Sequence, residues 1–237
     1  MPAVAAVLVD IEGTTSSITF VHDVLFPYAR AELPGFVRAH RDAPEVRAEL
    51  EATAAQTNLD PADTEAIIAT LLGWIDADEK ATPLKSLQGM IWETGYREGA
   101  FRAHLYPDSA TALAAWHDAG LPLYVYSSGS IYAQQLFFGH SEAGDLRHLF
   151  SGFFDTTSGH KREAASYANI ARSLELPPEQ ILFLSDVPEE LDAARAAGLG
   201  TVWVIREEEG RYRLAASADS PHQVVARLTD LSLEPLH

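Results

Sequence analysis

The opening of the chain constrains its fold most strongly, because an apolar run leads directly into a group of polar residues. Val7 to Val9 are followed by Asp10, Ile11 and Glu12, then by a glycine and two threonines. A short apolar run of this kind is typical of a buried parallel strand. The carboxyl ends of such strands form the edge at which open α/β sheets bind ligands. The stretch therefore predicts a first strand that carries a site, with Asp10 as its candidate nucleophile.

Four helical segments then follow one another without a strand between them. Apolar residues recur at helical spacing, and three of the segments begin at proline, which suits a first helical turn, in residues 23–38, 44–57, 61–78 and 83–98. Because this series interrupts the alternation of strands and helices, we expect an inserted four-helix cap over residues 17–105. The core would comprise residues 1–16 and 106–237. We expect the cap to close over the site and exclude water.

From residue 107 onward, strands alternate with helices. The predicted strands are 121–126, 153–155, 181–185 and 201–205, and the predicted helices are 107–119, 131–138, 163–174, 188–197 and 223–228. This alternation predicts an α/β fold, a doubly wound parallel sheet with a Rossmann-like core covered on both faces. A length of 237 residues suits one such core with an inserted subdomain.

Polar residues stand at the ends of three predicted strands, and a basic residue precedes a predicted helix. They are Asp10 with Glu12, Ser127 with Ser128, Asp186, and Lys161. Because the carboxyl ends of parallel strands meet at one edge of a sheet, we expect these groups to converge in one crevice.

These residue types are the ones that phosphoryl transfer requires. A carboxylate such as Asp10 can attack phosphorus and form an aspartyl phosphate. Asp10 and Asp186 supply the hard oxygen ligands that Mg²⁺ prefers. Serine hydroxyls and amides at a helix start can hold phosphate oxygens, and Lys161 adds positive charge where the transition state carries negative charge.

Composition excludes several other classes of protein. The chain has no cysteine, so disulfides, thiolate metal sites and a cysteine nucleophile are excluded. A formal net charge of −17 argues against nucleic acid as a partner, since phosphate backbones are bound by clustered lysine and arginine. No apolar run approaches the roughly 18 residues of a membrane span. We therefore expect a soluble, cytoplasmic protein that does not contact membranes.

Several peptides of the chain resemble those of a known enzyme family. Residues 10–14 resemble the first motif of the haloacid dehalogenase superfamily of aspartate-nucleophile phosphatases. The later motifs of that superfamily are matched in order by Ser127, by Lys161 and by Ser185 with Asp186. More narrowly, five peptides are similar to those of the enolase-phosphatases of methionine salvage, also called acireductone synthases: residues 10–15, 20–29, 87–92, 126–130 and 138–141.

The resemblance implies a monomeric enzyme with one Mg²⁺ per subunit and a small phosphate ester as substrate. The implied reaction enolises 2,3-diketo-5-methylthiopentyl 1-phosphate and removes its phosphate, giving 1,2-dihydroxy-3-keto-5-methylthiopentene. The implied metal ligands are Asp10, Glu12 and Asp186, and the implied substrate-binding residues are Ser127, Ser128 and Lys161. Asp10, Glu12 and Lys161 would be catalytic. Most members of the superfamily have Asp where this chain has Glu12, and we hypothesise that the longer side chain serves enolisation or binds the metal.

Alternative interpretations remain for the function and for single residues. A general Mg²⁺-dependent small-molecule phosphatase would keep the core motifs. A dehalogenase needs no metal, so Asp186 would have no role in it. A catalytically inactive binding protein would not need the catalytic residues. Asp186 is also a candidate N-cap before Pro188, and Ser130 is a candidate N-cap for the predicted helix 131–138. Glu189 and Glu190 suit a first helical turn, with a water-mediated contact to the metal as a second interpretation. Aromatic residues of the cap are expected in its core: Tyr28, Trp92 and Tyr96.

Overall fold

The computed structural model describes residues 3–212 and 220–236. The chain divides into two compact units. One comprises Met1–Phe20 and Arg102–His237, and the other comprises Val21–Phe101. Among the described residues, no helix combines the length and apolar character needed to cross a bilayer.

A parallel sheet of six strands forms the centre of the first unit. Its strands in chain order are β2 (Ala6–Val9), β3 (Leu123–Tyr126), β4 (Gly152–Phe154), β5 (Ile181–Ser185), β6 (Gly200–Val204) and β7 (Gln223–Val225). They lie in the spatial order β4-β3-β2-β5-β6-β7, and every neighbouring pair is parallel. All residues of β2 and β5 are buried, which explains their continuous apolar sequence. The predicted doubly wound α/β fold is confirmed.

The direction of chain winding reverses at β2. From β2 the chain proceeds to β3 and β4 on one side, then returns to β5 on the other side. In the pairing register, Val9 stands opposite both Val125 of β3 and Leu184 of β5. Ligands of open α/β sheets bind outside the carboxyl ends of the strands at such a switch point. The residues that follow β2 and β5 therefore occupy the position in the sheet most suited to a site.

Helices of the first unit flank this sheet. They are α1 (Ile18–Phe20), α6 (Pro107–Asp118), α7 (Ile131–Gly139), α8 (Ala164–Ser173) and α9 (Pro188–Ala196). Gly120 has φ +84° after the end of α6, the left-handed conformation that commonly ends a helix and that glycine adopts without strain. Ser130 caps α7 as predicted, because its side chain accepts a hydrogen bond of 3.2 Å from the Ala133 N–H.

The predicted last helix, residues 223–228, is wrong. Gln223–Val225 is the edge strand β7, which pairs Gln223 with Val202 and Val225 with Val204. Six residues are too few to stabilise an isolated helix, whereas adjacent valines suit a strand paired to an existing sheet. A second sheet of two strands, β1 (Ala3–Val4) and β8 (Glu234–Pro235), was also not predicted.

The second unit is a bundle of four helices. They are α2 (Phe26–His40), α3 (Pro44–Thr57), α4 (Thr64–Asp76) and α5 (Thr82–Glu98), and a π-helical stretch, Val21–Leu25, precedes α2. The core contains Leu33, Ile67, Leu71 and Leu87, which are all fully buried. The start of α4 lies three residues beyond the predicted Pro61, because the side chain of Asp63 accepts from the Ala66 N–H and caps the helix.

Of the aromatic residues expected in the core of this unit, Tyr96 is buried, whereas Tyr28 and Trp92 are half-buried and pack against the core. Tyr28 and Tyr96 both make edge contacts with the ring of Phe101, at centroid distances of 4.9 and 4.6 Å. Trp92 donates a hydrogen bond of 2.8 Å to the backbone oxygen of Leu25.

Candidate active site

Asp10 lies at the end of β2 and is almost completely buried. Its backbone N–H donates to the Leu184 oxygen of β5, which extends the pairing of the two strands past the end of β2. The Oδ1 atom accepts a hydrogen bond of 2.8 Å from the Ile11 N–H. The backbone and one side-chain oxygen together orient the carboxylate at the switch point.

The loop after Asp10 turns sharply toward the end of β5. Gly13 has φ +77°, and a Cβ atom there would collide with the carboxylate of Asp186. Thr14 is fully buried, and its Oγ1 atom accepts a hydrogen bond of 2.9 Å from the Asp186 N–H. Only glycine satisfies both the backbone conformation and the close approach. The loop therefore brings Asp186 next to the first motif.

Lys161 connects two carboxylates inside the crevice. Its Nζ atom lies 2.7 Å from Oδ1 of Asp10 and 2.7 Å from Oε2 of Glu190, and its side chain is 9% exposed. Burial by itself would lower the pKa of Lys161, but the charges of Asp10 and Glu190 outweigh it and raise the pKa above its usual value. Lys161 is therefore a permanently charged group that faces the candidate nucleophile.

Glu190 belongs to this buried network through direct contact with Lys161, whereas the sequence predicted a first-turn residue or a water-mediated contact to the metal. Glu189 and Glu190 occupy the first turn of α9 as predicted, but only Glu190 is buried. Ser185 donates a hydrogen bond of 3.0 Å to Oε2 of Glu190. Burial and the charge of Asp10 raise the pKa of Glu190 to about 7, because one lysine cannot neutralise two carboxylates. The available signal was helical spacing, since Glu190 shares a helix face with the buried Ala194.

Asp186 follows β5 and is buried by its neighbours. Its backbone oxygen accepts a hydrogen bond of 3.0 Å from Nε1 of Trp203. Arg211 lies 2.9 Å from Oδ2, whereas Oδ1 is buried and has no hydrogen-bond partner among the described residues. Burial and the negative charge of Asp10 raise the pKa of Asp186 to about 7, although Arg211 opposes the change.

The predicted N-cap role of Asp186 is wrong. Val187 is the N-cap residue of α9, and no side-chain hydrogen bond of its own caps the helix. The Val187 N–H instead donates to Oγ of Ser185, at 3.1 Å. The Asp186 side chain contacts Arg211 in the crevice and does not accept a hydrogen bond from the N-terminus of α9.

Glu12 and Ser127 contact each other close to Asp10. Oγ of Ser127 lies 3.4 Å from Oε2 of Glu12 and accepts a hydrogen bond of 3.2 Å from the Gly129 N–H. Burial and the charge of Asp10 raise the pKa of Glu12, and Lys161 only partly opposes this. Ser128 is exposed in the same loop. Asp10, Glu12, Ser127, Lys161 and Asp186 therefore share one crevice, and Ser128 stands on the loop at its edge.

Arg206 binds the backbone of the loop that follows Asp10. It was not identified from the sequence. It is 4% exposed and donates from Nε and Nη2 to the backbone oxygen of Thr14, at 3.1 and 2.8 Å. It also pairs with Asp108 at 2.9 Å, and its guanidinium lies 4.2 Å from the ring centroid of Tyr106. Because Thr14 holds the Asp186 backbone, Arg206 stabilises the arrangement of both strand ends.

The charges and oxygen atoms of the crevice fit a divalent cation. Asp10, Glu12, Asp186 and Glu190 face two basic groups, Lys161 and Arg211, so the ionised crevice carries excess negative charge. The unpartnered Oδ1 of Asp186 is a hard oxygen ligand that Mg²⁺ would satisfy. Within residues 3–212 and 220–236, however, no three acidic or histidine side chains form a ready-made ion-binding cluster. The side chains fit the ion by chemistry, with Arg211 on one of the candidate ligands.

Comparison with known proteins gives consistent results. A sequence model of the haloacid dehalogenase-like hydrolases matches residues 4–198. Enolase-phosphatase E1 of Azotobacter vinelandii is 61% identical over 86% of this chain and 90% of its own length. The protein of the same name from Pseudomonas aeruginosa is 57% identical over 98% of this chain and 99% of its own length. The chain belongs to the enolase-phosphatase E1 family of haloacid dehalogenase-like hydrolases.

The resemblance to the enolase-phosphatases is thus confirmed over nearly the whole chain. The crystal structure of the UTR4 protein from Saccharomyces cerevisiae has a TM-score of 0.82 and 33% identity to this chain, and the match covers 96% of this chain and 100% of the yeast chain. The match therefore includes the inserted helices as well as the sheet. Family membership makes the chain a phosphatase, and the roles of its individual residues are taken up below.

Proposed function

We propose that this enolase-phosphatase family member converts 2,3-diketo-5-methylthiopentyl 1-phosphate to 1,2-dihydroxy-3-keto-5-methylthiopentene and phosphate. Family membership supports the reaction class. The single observation that carries the residue assignment is the position of Asp10 at the switch point of the sheet, with Lys161 at 2.7 Å. A carboxylate held there can reach a phosphate bound outside the strand ends.

In the proposed phosphatase step, Asp10 attacks phosphorus and the bond to the ester oxygen breaks. Lys161 contacts the Asp10 carboxylate at 2.7 Å and offsets negative charge on the phosphate. Ser127 and the exposed Ser128 donate hydrogen bonds to phosphate oxygens. The result is an aspartyl phosphate on Asp10 and an alkoxide leaving group, which needs a proton to become the alcohol.

Glu12 is suited to supply that proton. Its raised pKa favours the protonated form, and its carboxyl group adjoins Ser127 at 3.4 Å. After giving the proton to the leaving oxygen, the ionised Glu12 can accept one from the water that attacks the aspartyl phosphate. The step restores Asp10 and Glu12 and releases inorganic phosphate. We also assign the enolisation to Glu12, whose ionised form takes the proton from carbon and returns it to the carbonyl oxygen, so that the enol forms with no net change at Glu12.

Asp10 and Asp186, through their carboxylates, and Glu12, through its backbone oxygen, are the residues that we propose to hold one Mg²⁺. When bound, the ion would supply positive charge to the phosphate oxygens as the transition state forms. The partnerless Oδ1 of Asp186 and the surplus of carboxylates support this assignment.

A cytoplasmic location and a monomeric state stay predictions.

The proposed reaction is tested by incubation of the protein with the diketone phosphate, with and without Mg²⁺. Absorbance of the enol product and inorganic phosphate are followed separately. We expect both to appear, only with Mg²⁺, and neither to appear for Asp10→Asn. Phosphate release without an enol product would instead support a general small-molecule phosphatase.

The dual role of Glu12 is tested by Glu12→Gln, which keeps the size of the side chain and removes its acid–base function. We expect loss of enol formation as well as of phosphate release. A variant that forms the enol intermediate at the normal rate and fails only to release phosphate would exclude Glu12 from enolisation.

A further inference from the structure

Arg211 contacts the candidate metal ligand Asp186 but lies outside the four motifs. Its Nη1 atom is 2.9 Å from Oδ2 of Asp186. The two side chains differ in burial, since that of Arg211 is 46% exposed and that of Asp186 is 6% exposed. The guanidinium therefore reaches a buried carboxylate from the solvent side of the crevice.

The segment that carries Arg211 is held in place on both sides. Before it, Glu209 accepts hydrogen bonds from the Tyr106 hydroxyl and from the Ile18 N–H. After it, the ring of Tyr212 makes an edge contact with Trp203, at a centroid distance of 5.2 Å. Trp203 in turn donates to the Asp186 backbone. The pairing of Arg211 with Asp186 is thus a supported contact and not a chance position of a surface arginine.

The same carboxylate is proposed to bind Mg²⁺, so a guanidinium and a metal ion would share one ligand. Asp186 Oδ1 has no partner among the described residues, and Oδ2 accepts from Arg211. A guanidinium fits a carboxylate in hydrogen-bonding geometry, whereas Mg²⁺ requires close approach of oxygen ligands and repels a nearby cation. The two cations would therefore repel each other across the carboxylate of Asp186.

We propose that Arg211 competes with the divalent cation for Asp186, so that metal enters the site by displacing a guanidinium. This inference rests on the proposed function, because it takes Asp186 as a metal ligand. Arg211 acts as a positioning residue that neutralises the buried carboxylate while no ion is present. Displacement is feasible because the arginine is half-exposed, and partly exposed ion pairs contribute little free energy. Competition raises the apparent dissociation constant of the ion by a factor that depends on the free energy of the Arg211–Asp186 pair.

The test measures metal binding by the full chain after removal of divalent ions with a chelator. Mg²⁺ is titrated calorimetrically into the unsubstituted protein, Arg211→Met and Arg211→Lys, and Mn²⁺ binding is followed by electron paramagnetic resonance. We expect the dissociation constant of Arg211→Met to fall by about three- to tenfold, the range for loss of a partly exposed pair. Arg211→Lys, which keeps the charge without the planar fork, should lie between the two.

The matched control is Arg195→Met, which removes the same charge from an exposed position in the last turn of α9. It should leave both dissociation constants within about twofold of the unsubstituted protein, since exposed charges at a distance are screened. The melting temperature should also rise more on addition of Mg²⁺ in Arg211→Met than in the unsubstituted protein.

The possible failures are distinguishable. Unchanged or weaker metal binding by Arg211→Met would overturn the competition, as would an equal gain in Arg195→Met. In both cases, metal binding by the unsubstituted protein would leave the proposed function standing. If the unsubstituted protein bound neither Mg²⁺ nor Mn²⁺, the metal assignment would be overturned and the competition with it.

Discussion

At the scale of single residues, one lysine facing two buried carboxylates determines the electrostatics of the crevice. Lys161 contacts Asp10 and Glu190 at equal distances of 2.7 Å. Sequence motifs predicted the lysine and the nucleophile, because their residue types and order are characteristic. They did not predict Glu190, whose burial depends on how α9 packs beside α8.

Replacement of Asp10 by Asn should abolish turnover and leave the fold intact. The amide oxygen of Asn can still accept from the Ile11 N–H, but a neutral amide does not attack phosphorus. We expect phosphate release to fall by about 10³-fold or more, the range for loss of a catalytic nucleophile. The measurement is phosphate release under saturating substrate, with circular dichroism as the control for folding. Substantial residual turnover would contradict the assignment of Asp10.

Replacement of Glu190 by Gln should stabilise the metal-free protein at pH 8. The raised pKa of Glu190, about 7, means that its ionised form is disfavoured in the fold. We expect a gain of about 1–2 kcal/mol in the free energy of unfolding by urea at pH 8, and little change at pH 5. The control is Glu189→Gln, an exposed neighbour that should change stability by less than about 0.5 kcal/mol. A loss of stability in Glu190→Gln at pH 8 would show that the ion pair outweighs the repulsion.

At the scale of elements, helices were predicted more reliably than the short segments near the end of the chain. The bounds of α3 and β5 agree with the sequence pattern, because local periodicity and flanking prolines are sufficient to define them. β7 was mistaken for a helix, since a three-residue edge strand exists only through its pairing with β6. Its structure is therefore a property of the sheet.

One helix of the second unit contains a glycine that packing requires. A Cβ atom at Gly95 of α5 would lie 2.7 Å from the Phe101 ring and 2.8 Å from the Tyr28 ring. We expect Gly95→Ala to lower the free energy of unfolding by about 1–3 kcal/mol, as overpacking does. The matched control is Gly73→Ala in α4, where no atom lies within 4 Å of the added carbon. It should stabilise the helix by about 0.5–1 kcal/mol. Equal effects of the two changes in thermal melting would contradict the packing argument.

At the scale of the whole molecule, the crevice makes the stability of the metal-free protein depend on pH. The folded pKa values of Asp186 and Glu190, about 7, lie above their ordinary values of 3.8 and 4.5. At pH values between the ordinary pKa and the raised pKa of each group, the folded state binds more protons than the unfolded state. The free energy of unfolding therefore falls as pH rises through this range. We expect these two groups together to contribute a loss of about 2–4 kcal/mol between pH 4.5 and pH 8.

Mg²⁺ should reverse this loss, because it stabilises the ionised carboxylates. At a concentration of 100 times its dissociation constant, it adds about 2.7 kcal/mol to the free energy of unfolding. The measurement is urea unfolding across the pH range, with chelator or with Mg²⁺. Double substitution by Asp186→Asn and Glu190→Gln should flatten the metal-free curve. A metal-free protein whose stability rises from pH 4.5 to pH 8 would contradict the electrostatic description of the crevice.

The sequence by itself determined the alternation of strands and helices, the inserted series of four helices and the residues of the four motifs. These features are local, because they depend on periodicity, turn residues and residue types within short stretches. Only the tertiary structure decided the partners of those residues. Arg206 contacts Thr14 across 192 positions, Asp186 contacts Thr14 across 172, and Arg211 reaches Asp186 through a loop with no pattern of its own. Such contacts arise from the folding of distant segments against one sheet, and no local signal in the chain specifies them.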